Sequence, residues 1–124
     1  SGYLAAVLNL MDTKVYTIER QKDLFMKTKH FLPSIGYECQ FFYGDGYKGL
    51  PSFAPFNKII ITCGATQIPN NLLSQLSVGG KMIVPVGNND IQKMYLIEKT
   101  SDKDNRITEH GNFSFVPMLK DKSD

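Results

Sequence analysis

The sequence predicts an α/β domain built on a mostly parallel β-sheet. Helical and β-rich segments alternate along most of the chain, which is typical of parallel strands joined by crossover helices. Residues 58–63 form an almost continuous apolar run, as expected of a strand that helices cover on both faces. Two late β-rich segments, near residues 92–99 and 107–115, follow one another without a helix and predict an antiparallel sheet edge.

Composition and charge narrow the functional classes. The 124 residues suit one domain, and 42% hydrophobic with 21% charged residues is the balance of a folded globular protein. The formal net charge is only +2, and the basic residues are scattered without an aromatic platform, so no nucleic-acid binding is expected. The longest apolar runs are too short to cross a bilayer, so no membrane association is expected either.

Apolar spacing and turn residues place the individual elements. The predicted helices span residues 2–11, 21–32 and about 69–76, and the predicted strands span residues 15–18, 39–43, 58–63 and 81–86. The residues expected to face inward are Leu4, Val7, Leu8 and Met11 in the first helix, and Leu24, Phe25, Thr28, Phe31 and Leu32 in the second. Gly79 and Gly80 are expected to end the third helix, and the polar tail 120–124 is expected to fray.

The cysteines and histidines give no independent sign of catalysis or metal binding. Cys39 and Cys63 lie in apolar, strand-like stretches, where reduced thiols are the favoured interpretation and a disulfide or a nucleophile are the alternatives. No Cys-x-x-Cys or His-x-x-x-His spacing is present, so no metal site is predicted. His30 and His110 are interpreted as solvated surface residues.

Three features lie at strand ends or helix starts, where ligands bind in parallel α/β sheets. Ser1 and Gly2 directly precede the first helix, whose free backbone N–H groups can hold an anion. Glu19 closes the first predicted strand, where an acid can accept hydrogen bonds from both hydroxyls of a ribose; a surface glutamate is the alternative. Asp45 lies between two glycines that permit positive φ. It can accept a bond from an adenine amino group while Gly46 lets the ring approach the backbone; an ordinary Asp-Gly turn is the alternative.

Together these features suit an adenosine-containing cofactor, without separating NAD from S-adenosylmethionine. The chain also resembles the protein-L-isoaspartate O-methyltransferase family along one collinear register. The matching stretches cover the second half of the family's Gly-x-Gly-Ser-Gly-Tyr motif, the acid after the next strand, the Gly-Asp-Gly loop and the segment most characteristic of the family. They are residues 1–8, 15–20, 44–51, 54–62, 68–87, Gln92 and 113–119. The departures are Asn57 where the family usually has Asp, Cys63-Gly64-Ala65 in place of a more alanine-rich run, and Leu119 where some members have a hydroxyl residue.

The resemblance implies a Rossmann-like methyltransferase fold and an enzyme that uses S-adenosylmethionine, with S-adenosylhomocysteine as product and no metal. The implied reaction transfers a methyl group to the free carboxylate of L-isoaspartyl residues in damaged proteins, which is a repair reaction of the cytoplasm. The implied cofactor-binding residues are Ser1, Gly2, Glu19, Asp45 and Gly46. No catalytic acid, base or nucleophile is expected, because a carboxylate with a reference pKa of about 4 is already ionised at neutral pH.

The resemblance also implies a division of the chain. Residues 1–119 are expected to form part of a methyltransferase domain, and residues 120–124 a polar tail. In the family, a first, central strand lies between the strands near residues 15–19 and 58–62. That strand and other substrate-binding segments are expected from residues outside this sequence or from another chain.

Three other functions are weighed against the repair enzyme. A module that binds S-adenosylmethionine without turnover follows if the substrate-binding segments are absent. A methyltransferase acting on a small molecule is less favoured, because the segment 72–87 is characteristic of the repair enzymes. An NAD oxidoreductase ranks last.

Overall fold

The computed structural model describes residues 2–123 and confirms the predicted alternation of helices and strands. The helices are α1 (Tyr3–Leu10), α2 (Lys22–Ser34) and α3 (Asn70–Leu73), with a 3₁₀ turn at Pro51–Phe53. The strands are β1 (Tyr16–Glu19), β2 (Gln40–Tyr43), β3 (Phe56–Ile60), β4 (Leu76–Gly87), β5 (Gln92–Lys99) and β6 (Asn105–Phe113). The chain divides into two compact units. None of the described helices is long and apolar enough to span a membrane.

The first unit comprises the chain up to Gly46 together with the tail from Lys120. Its sheet consists of two parallel strands, β1 and β2, in continuous register, so that Glu19 lies opposite Tyr43. Helices α1 and α2 belong to the same unit, and Leu32 is the buried residue of α2. The carboxyl ends of both strands therefore meet at one edge of a small sheet.

The inward faces expected of α1 and α2 are only partly correct. Ala5 is the buried residue of α1, and Phe25 and Thr28 of α2 are half-buried. The predicted inward residues that prove exposed are Leu4, Met11, Leu24 and Phe31, at 39%, 67%, 37% and 56%. A sheet of two strands presents too little surface to cover the whole apolar face of either helix.

The second unit, Tyr47–Leu119, contains a four-stranded sheet in the order β3-β4-β5-β6. Strands β3 and β4 are parallel, whereas β5 pairs antiparallel with both β4 and β6. The predicted antiparallel edge is therefore confirmed. Buried apolar residues from β4, β5, α3 and the stretch after β3 form the core of this unit: Ile61, Ala65, Leu72, Leu76, Met82, Val84 and Ile97.

The prediction that Gly79 and Gly80 end the third helix is wrong. Helix α3 has only four residues, and both glycines lie inside β4. Leu76, at the start of β4, is 1% exposed and pairs with Phe56 of β3. Burial of this leucine in the sheet requires an extended backbone, and that long-range contact overrides the local tendency of a glycine pair to end a helix.

Strand β3 is less buried than its apolar sequence predicts. Lys58 is exposed and Ile60 is 43% exposed, while Ile61 just beyond the strand is buried. Among the described strands, β3 pairs only with β4 and β1 pairs only with β2. A strand with a single neighbour at a sheet edge cannot be covered as a central strand is, which accounts for the exposure. The expected additional strand beside β1 and β3 stays a prediction.

The loop that follows residue 46 is held within the second unit by Gln75, which is 7% exposed. Its Oε1 accepts the Leu50 N–H at 2.9 Å, and its Nε2 donates to the Lys48 carbonyl oxygen at 2.9 Å. Gly49 lies between these two residues with φ of 64°, and a Cβ at this position would overlap the Gln75 amide. Gly49 thus uses the left-handed conformation that glycine permits, whereas Gly44, beside Asp45, has no positive φ.

Gln75→Ala should lower the free energy of unfolding by ~1–3 kcal/mol, because both backbone groups of the loop lose a buried partner. Urea denaturation of the intact protein measures this loss. Gln67→Ala, at an exposed loop position, is the matched control and should stay within about 0.5 kcal/mol of the parent. Equal effects of the two substitutions would show that the Gln75 contacts do not stabilise the loop.

Candidate functional site

The parallel pairing of β1 with β2 brings two of the predicted site segments side by side. Glu19 is opposite Tyr43 at the ends of the two strands. Gly44, the residue that follows β2, donates its N–H to the Glu19 carbonyl oxygen at 3.1 Å. The loop that contains Asp45 and Gly46 therefore begins directly beside Glu19, at the edge where ligands bind in parallel sheets.

The Glu19 side chain is half-buried and is held by its own turn. Its Oε1 accepts the Gln21 N–H at 2.9 Å. Oε2 accepts no hydrogen bond from the residues that the structure describes. An ionised carboxylate has about four acceptor positions on its two oxygens, so this side chain is fixed in place and still able to accept hydrogen bonds from a ligand.

Glu19 lines a pocket of mixed character within the first unit. The pocket joins the strand ends to the α1 N-terminus and the inner face of α2, and its lining residues are Gly2, Thr17, Glu19, Phe25, Thr28, Phe41 and Phe42. Three phenylalanines and two threonines thus share the lining with one glutamate. Binding sites for small molecules typically combine such an apolar lining with a few placed polar groups.

Gly2 is the N-cap of α1 and adopts a left-handed backbone with φ of 81°. A Cβ at this position would lie 2.5 Å from a methyl carbon of Thr28 and 2.9 Å from Leu32. Glycine is therefore required by both the backbone conformation and the close approach of α2. The other residue of the predicted N-terminal motif, Ser1, lies outside the described residues.

Asp45 is buried, at 8% exposure, rather than open to the pocket. One of its carboxylate oxygens, Oδ2, accepts the Asp121 N–H at 3.1 Å. Gly46, next in the chain, is half-buried. Of the predicted site residues, Gly2 and Glu19 share the pocket, while Asp45 lies in the adjoining loop against the C-terminal tail.

The expectation of a frayed tail is wrong for residues 120–123, and Asp124 lies outside the described residues. The Ser123 N–H donates to the Arg20 carbonyl oxygen at 2.8 Å, and the Lys22 N–H donates to the Ser123 carbonyl oxygen at 3.0 Å. The Arg20 Nε also donates to the Asp121 carbonyl oxygen at 2.9 Å. Arg20 and Asp121 are thus neighbours of the site that the sequence did not indicate, because a short polar tail has no apolar periodicity from which docking can be predicted.

Neither cysteine forms a disulfide, so that alternative is wrong. Burial raises the pKa of the Cys39 thiol, and its Sγ lies 3.6 Å from the Ala5 carbonyl oxygen. A thiol with a raised pKa is less ionised at neutral pH and is a poor nucleophile. His30 and His110 are exposed, as predicted. Across residues 2–123, no three His, Cys, Asp or Glu side chains cluster as a metal site would require.

The fold and the strand ends define an α/β protein of the Rossmann-like class, with an acid and a Gly-Asp-Gly loop at adjacent parallel strand ends. Comparison with known proteins resolves the class further. The chain belongs to the protein-L-isoaspartate(D-aspartate) O-methyltransferase family, because the sequence model of that family matches residues 1–123.

Individual relatives agree with this assignment. The protein-L-isoaspartate O-methyltransferase of Christiangramia forsetii is 52% identical over 124 residues, covering 99% of this chain and 58% of the relative. A solved structure named protein-L-isoaspartate O-methyltransferase is 29% identical, with a TM-score of 0.85 over 94% of this chain and 38% of that one. A structure of a putative Plasmodium falciparum member, in complex with S-adenosyl-L-homocysteine, shares the fold at 23% identity and a TM-score of 0.72, over 93% of this chain and 56% of that one. The chain thus spans little more than half the length of the curated relative.

Gly2→Ala should destabilise the protein more than Gly36→Ala. Both glycines have a left-handed φ, of 81° and 96°, but only Gly2 has side chains where a Cβ would be placed. The backbone cost is therefore shared, and the overpacking cost of ~1–3 kcal/mol falls on Gly2→Ala alone. Urea denaturation of both variants measures the difference, and equal losses would contradict the close approach of α2 to residue 2.

Proposed function

We propose that the protein transfers a methyl group from S-adenosylmethionine to the free α-carboxylate of L-isoaspartyl residues in damaged proteins. Family membership over residues 1–123 supports the reaction type. The single structural observation that carries the proposal is the Glu19 carboxylate, fixed beside the start of the Gly44-Asp45-Gly46 loop. In the proposed function, the Glu19 carboxylate accepts hydrogen bonds from the ribose hydroxyls, and the adjoining loop borders the adenine.

The residues of the strand ends fit the adenosine half of this cofactor. Glu19 offers a half-buried carboxylate whose Oε2 accepts no hydrogen bond from a described residue. The acceptor positions that remain on this carboxylate suit two vicinal hydroxyls. Residues Ser1 and Gly2 would place the α1 N-terminus, whose N-cap Gly2 has no capping side chain, against the carboxylate at the other end of the cofactor. Asp45 and Gly46 would border the adenine. These five residues are the proposed cofactor-binding set.

The reaction places modest demands on the side chains of this chain. Bound S-adenosylmethionine supplies an electrophilic methyl group on a positively charged sulfur. The substrate carboxylate is already ionised at neutral pH, since its reference pKa is about 4, so no side chain is needed as a general base. The protein's part is to align the two reactants, which can contribute ~7–11 kcal/mol, and to exclude water from the site. We assign no catalytic acid, base or nucleophile.

The proposed partners are proteins and peptides that contain isoaspartate, without nucleic acid or membrane. The scattered charge and the net charge of +2 support this. A cytoplasmic location is supported by two cysteines that remain thiols, as in a reducing compartment. Residues 1–119 would form part of one methyltransferase domain. Strands β1 and β3, each with one strand partner among the described residues, would receive the family's central strand from residues outside this sequence or from another chain.

Methylation of paired peptides tests the reaction directly. The intact protein should transfer a radiolabelled methyl group from S-adenosylmethionine to a peptide containing L-isoaspartate, and not to the same sequence with Asp. Only the isomerised residue presents its α-carboxylate as a free side group. Binding of S-adenosylhomocysteine without transfer would leave a cofactor-binding module, and transfer to a small acid but to neither peptide would contradict the repair function.

Substitution of Glu19 tests the cofactor site. Glu19→Ala should weaken S-adenosylhomocysteine binding by ~1–3 kcal/mol, because a charge-assisted bond to the ribose is lost. Glu19→Gln retains an acceptor for the Gln21 N–H and should lose less affinity. Glu38→Ala, at an exposed position, is the matched control. Calorimetric affinities that are the same for all three variants would remove Glu19 from the site.

A further inference from the structure

The backbone N–H and C=O groups of Asp121 connect the two segments that carry the proposed cofactor residues. Its N–H donates to Oδ2 of Asp45 at 3.1 Å. Its carbonyl oxygen accepts from Nε of Arg20 at 2.9 Å, and Arg20 directly follows Glu19 in the chain. One backbone unit is therefore bonded on one side to the loop after β2 and on the other to the residue after β1.

Asp121 makes these contacts from a backbone conformation that few residues adopt. Its φ is 61°, in the left-handed region. Asp and Asn enter that region more readily than other non-glycine residues, and all of them do so at a cost. A strained conformation persists only where the surrounding contacts hold it. The two hydrogen bonds of the Asp121 backbone are such contacts.

Further contacts hold the tail at Lys122 and Ser123, the two residues that follow Asp121. Ser123 forms a parallel bridge with Gln21, just beyond β1. The Tyr43 hydroxyl donates to the Ser123 carbonyl oxygen at 3.1 Å, and the Lys122 ammonium lies 4.8 Å from the centre of the Tyr43 ring. The tail is thus anchored to the last residue of β2 as well as to the chain after β1, and Asp121 does not depend on its own two bonds alone.

We propose that Asp121 is a positioning residue of the cofactor site, acting through its backbone. Its N–H holds the carboxylate of Asp45 in one orientation, and its carbonyl oxygen holds Arg20. The β1-β2 register already places Gly44 beside Glu19. The contacts of Asp121 add to it by holding Asp45 and Arg20 in one arrangement before any ligand binds. When a ligand contacts both segments, less conformational entropy is then lost on binding, and the affinity is higher. This inference rests on the proposed function, since it assigns Glu19 and Asp45 to one cofactor.

Two substitutions at the same position separate positioning from other roles. Asp121→Pro removes the N–H and imposes φ near −65°, so both bonds are lost. Asp121→Gly keeps both backbone groups and accepts positive φ without strain. In the intact protein, Asp121→Pro should bind S-adenosylhomocysteine roughly tenfold more weakly. Its KM for S-adenosylmethionine should rise while its KM for the isoaspartyl peptide stays within about twofold. Asp121→Gly should match the parent.

A second pair of variants covers the case in which Asp121→Pro does not fold. Arg20→Met removes only the bond to the Asp121 carbonyl oxygen and should weaken cofactor binding about threefold. Arg20→Lys, which can still donate a hydrogen bond, should recover part of that loss. Parental affinity in Arg20→Met, or equal losses in the two Arg20 variants, would overturn the proposal.

The failures of the two proposals are distinguishable. If the unsubstituted protein does not bind S-adenosylhomocysteine, the proposed function fails and the role of Asp121 fails with it. If the unsubstituted protein binds and methylates, and Asp121→Pro has a lower Tm but the same cofactor affinity, only the positioning role is contradicted. The tail would then stabilise the fold and have no part in the site.

Discussion

The parallel register of β1 and β2 is the constraint on which the candidate site depends. It aligns Glu19 with Tyr43, so that the chain leaves both strands at the same level. The Gly44 N–H then bonds to the Glu19 carbonyl oxygen, which starts the Gly-Asp-Gly loop beside the carboxylate. A slip of one residue would turn the Glu19 side chain to the opposite face of the sheet and separate it from the pocket.

The two carboxylates at this edge of the sheet, those of Glu19 and Asp45, have different contacts and different proposed roles. The Glu19 carboxylate accepts the Gln21 N–H and can still accept hydrogen bonds from a ligand. Asp45 is buried and accepts the Asp121 N–H of the tail, and the Asp121 carbonyl oxygen in turn holds Arg20. A buried carboxylate needs such partners, because burial without hydrogen bonds is costly. The tail gives Asp45 one such partner and also holds the segment after β1. In the proposed role of Asp121, the same contacts stabilise the fold and preorganise the candidate site.

Local sequence patterns predict most of the elements, and they bring the candidate site to the ends of β1 and β2. The ends of β1 and β2 follow from short β-rich runs that stop at Glu19 and at a glycine turn, and the placement of ligand sites at parallel strand ends is a general property of the fold class. The residues alone do not distinguish NAD from S-adenosylmethionine; the resemblance of residues 68–87 and the other matching stretches does, and the family match supports it.

The features that sequence reasoning missed all depend on long-range contacts. The start of β4 at Leu76 requires knowledge of its pairing with Phe56, since the local sequence favours a helix that ends at Gly79. The exposure of Phe31 depends on how narrow the β1-β2 sheet is. Docking of the tail depends on Arg20, 101 positions away from Asp121 in the chain. No periodicity or propensity within a short window contains this information.

A crystal structure of the intact protein with S-adenosylhomocysteine tests the central claim most directly. We expect both ribose hydroxyls within about 2.5–2.7 Å of the Glu19 carboxylate and the adenine ring beside Asp45 and Gly46, with the Asp121 N–H still bonded to Asp45. Ligand density at another face of the molecule, with Glu19 in contact only with its own turn, would contradict the account.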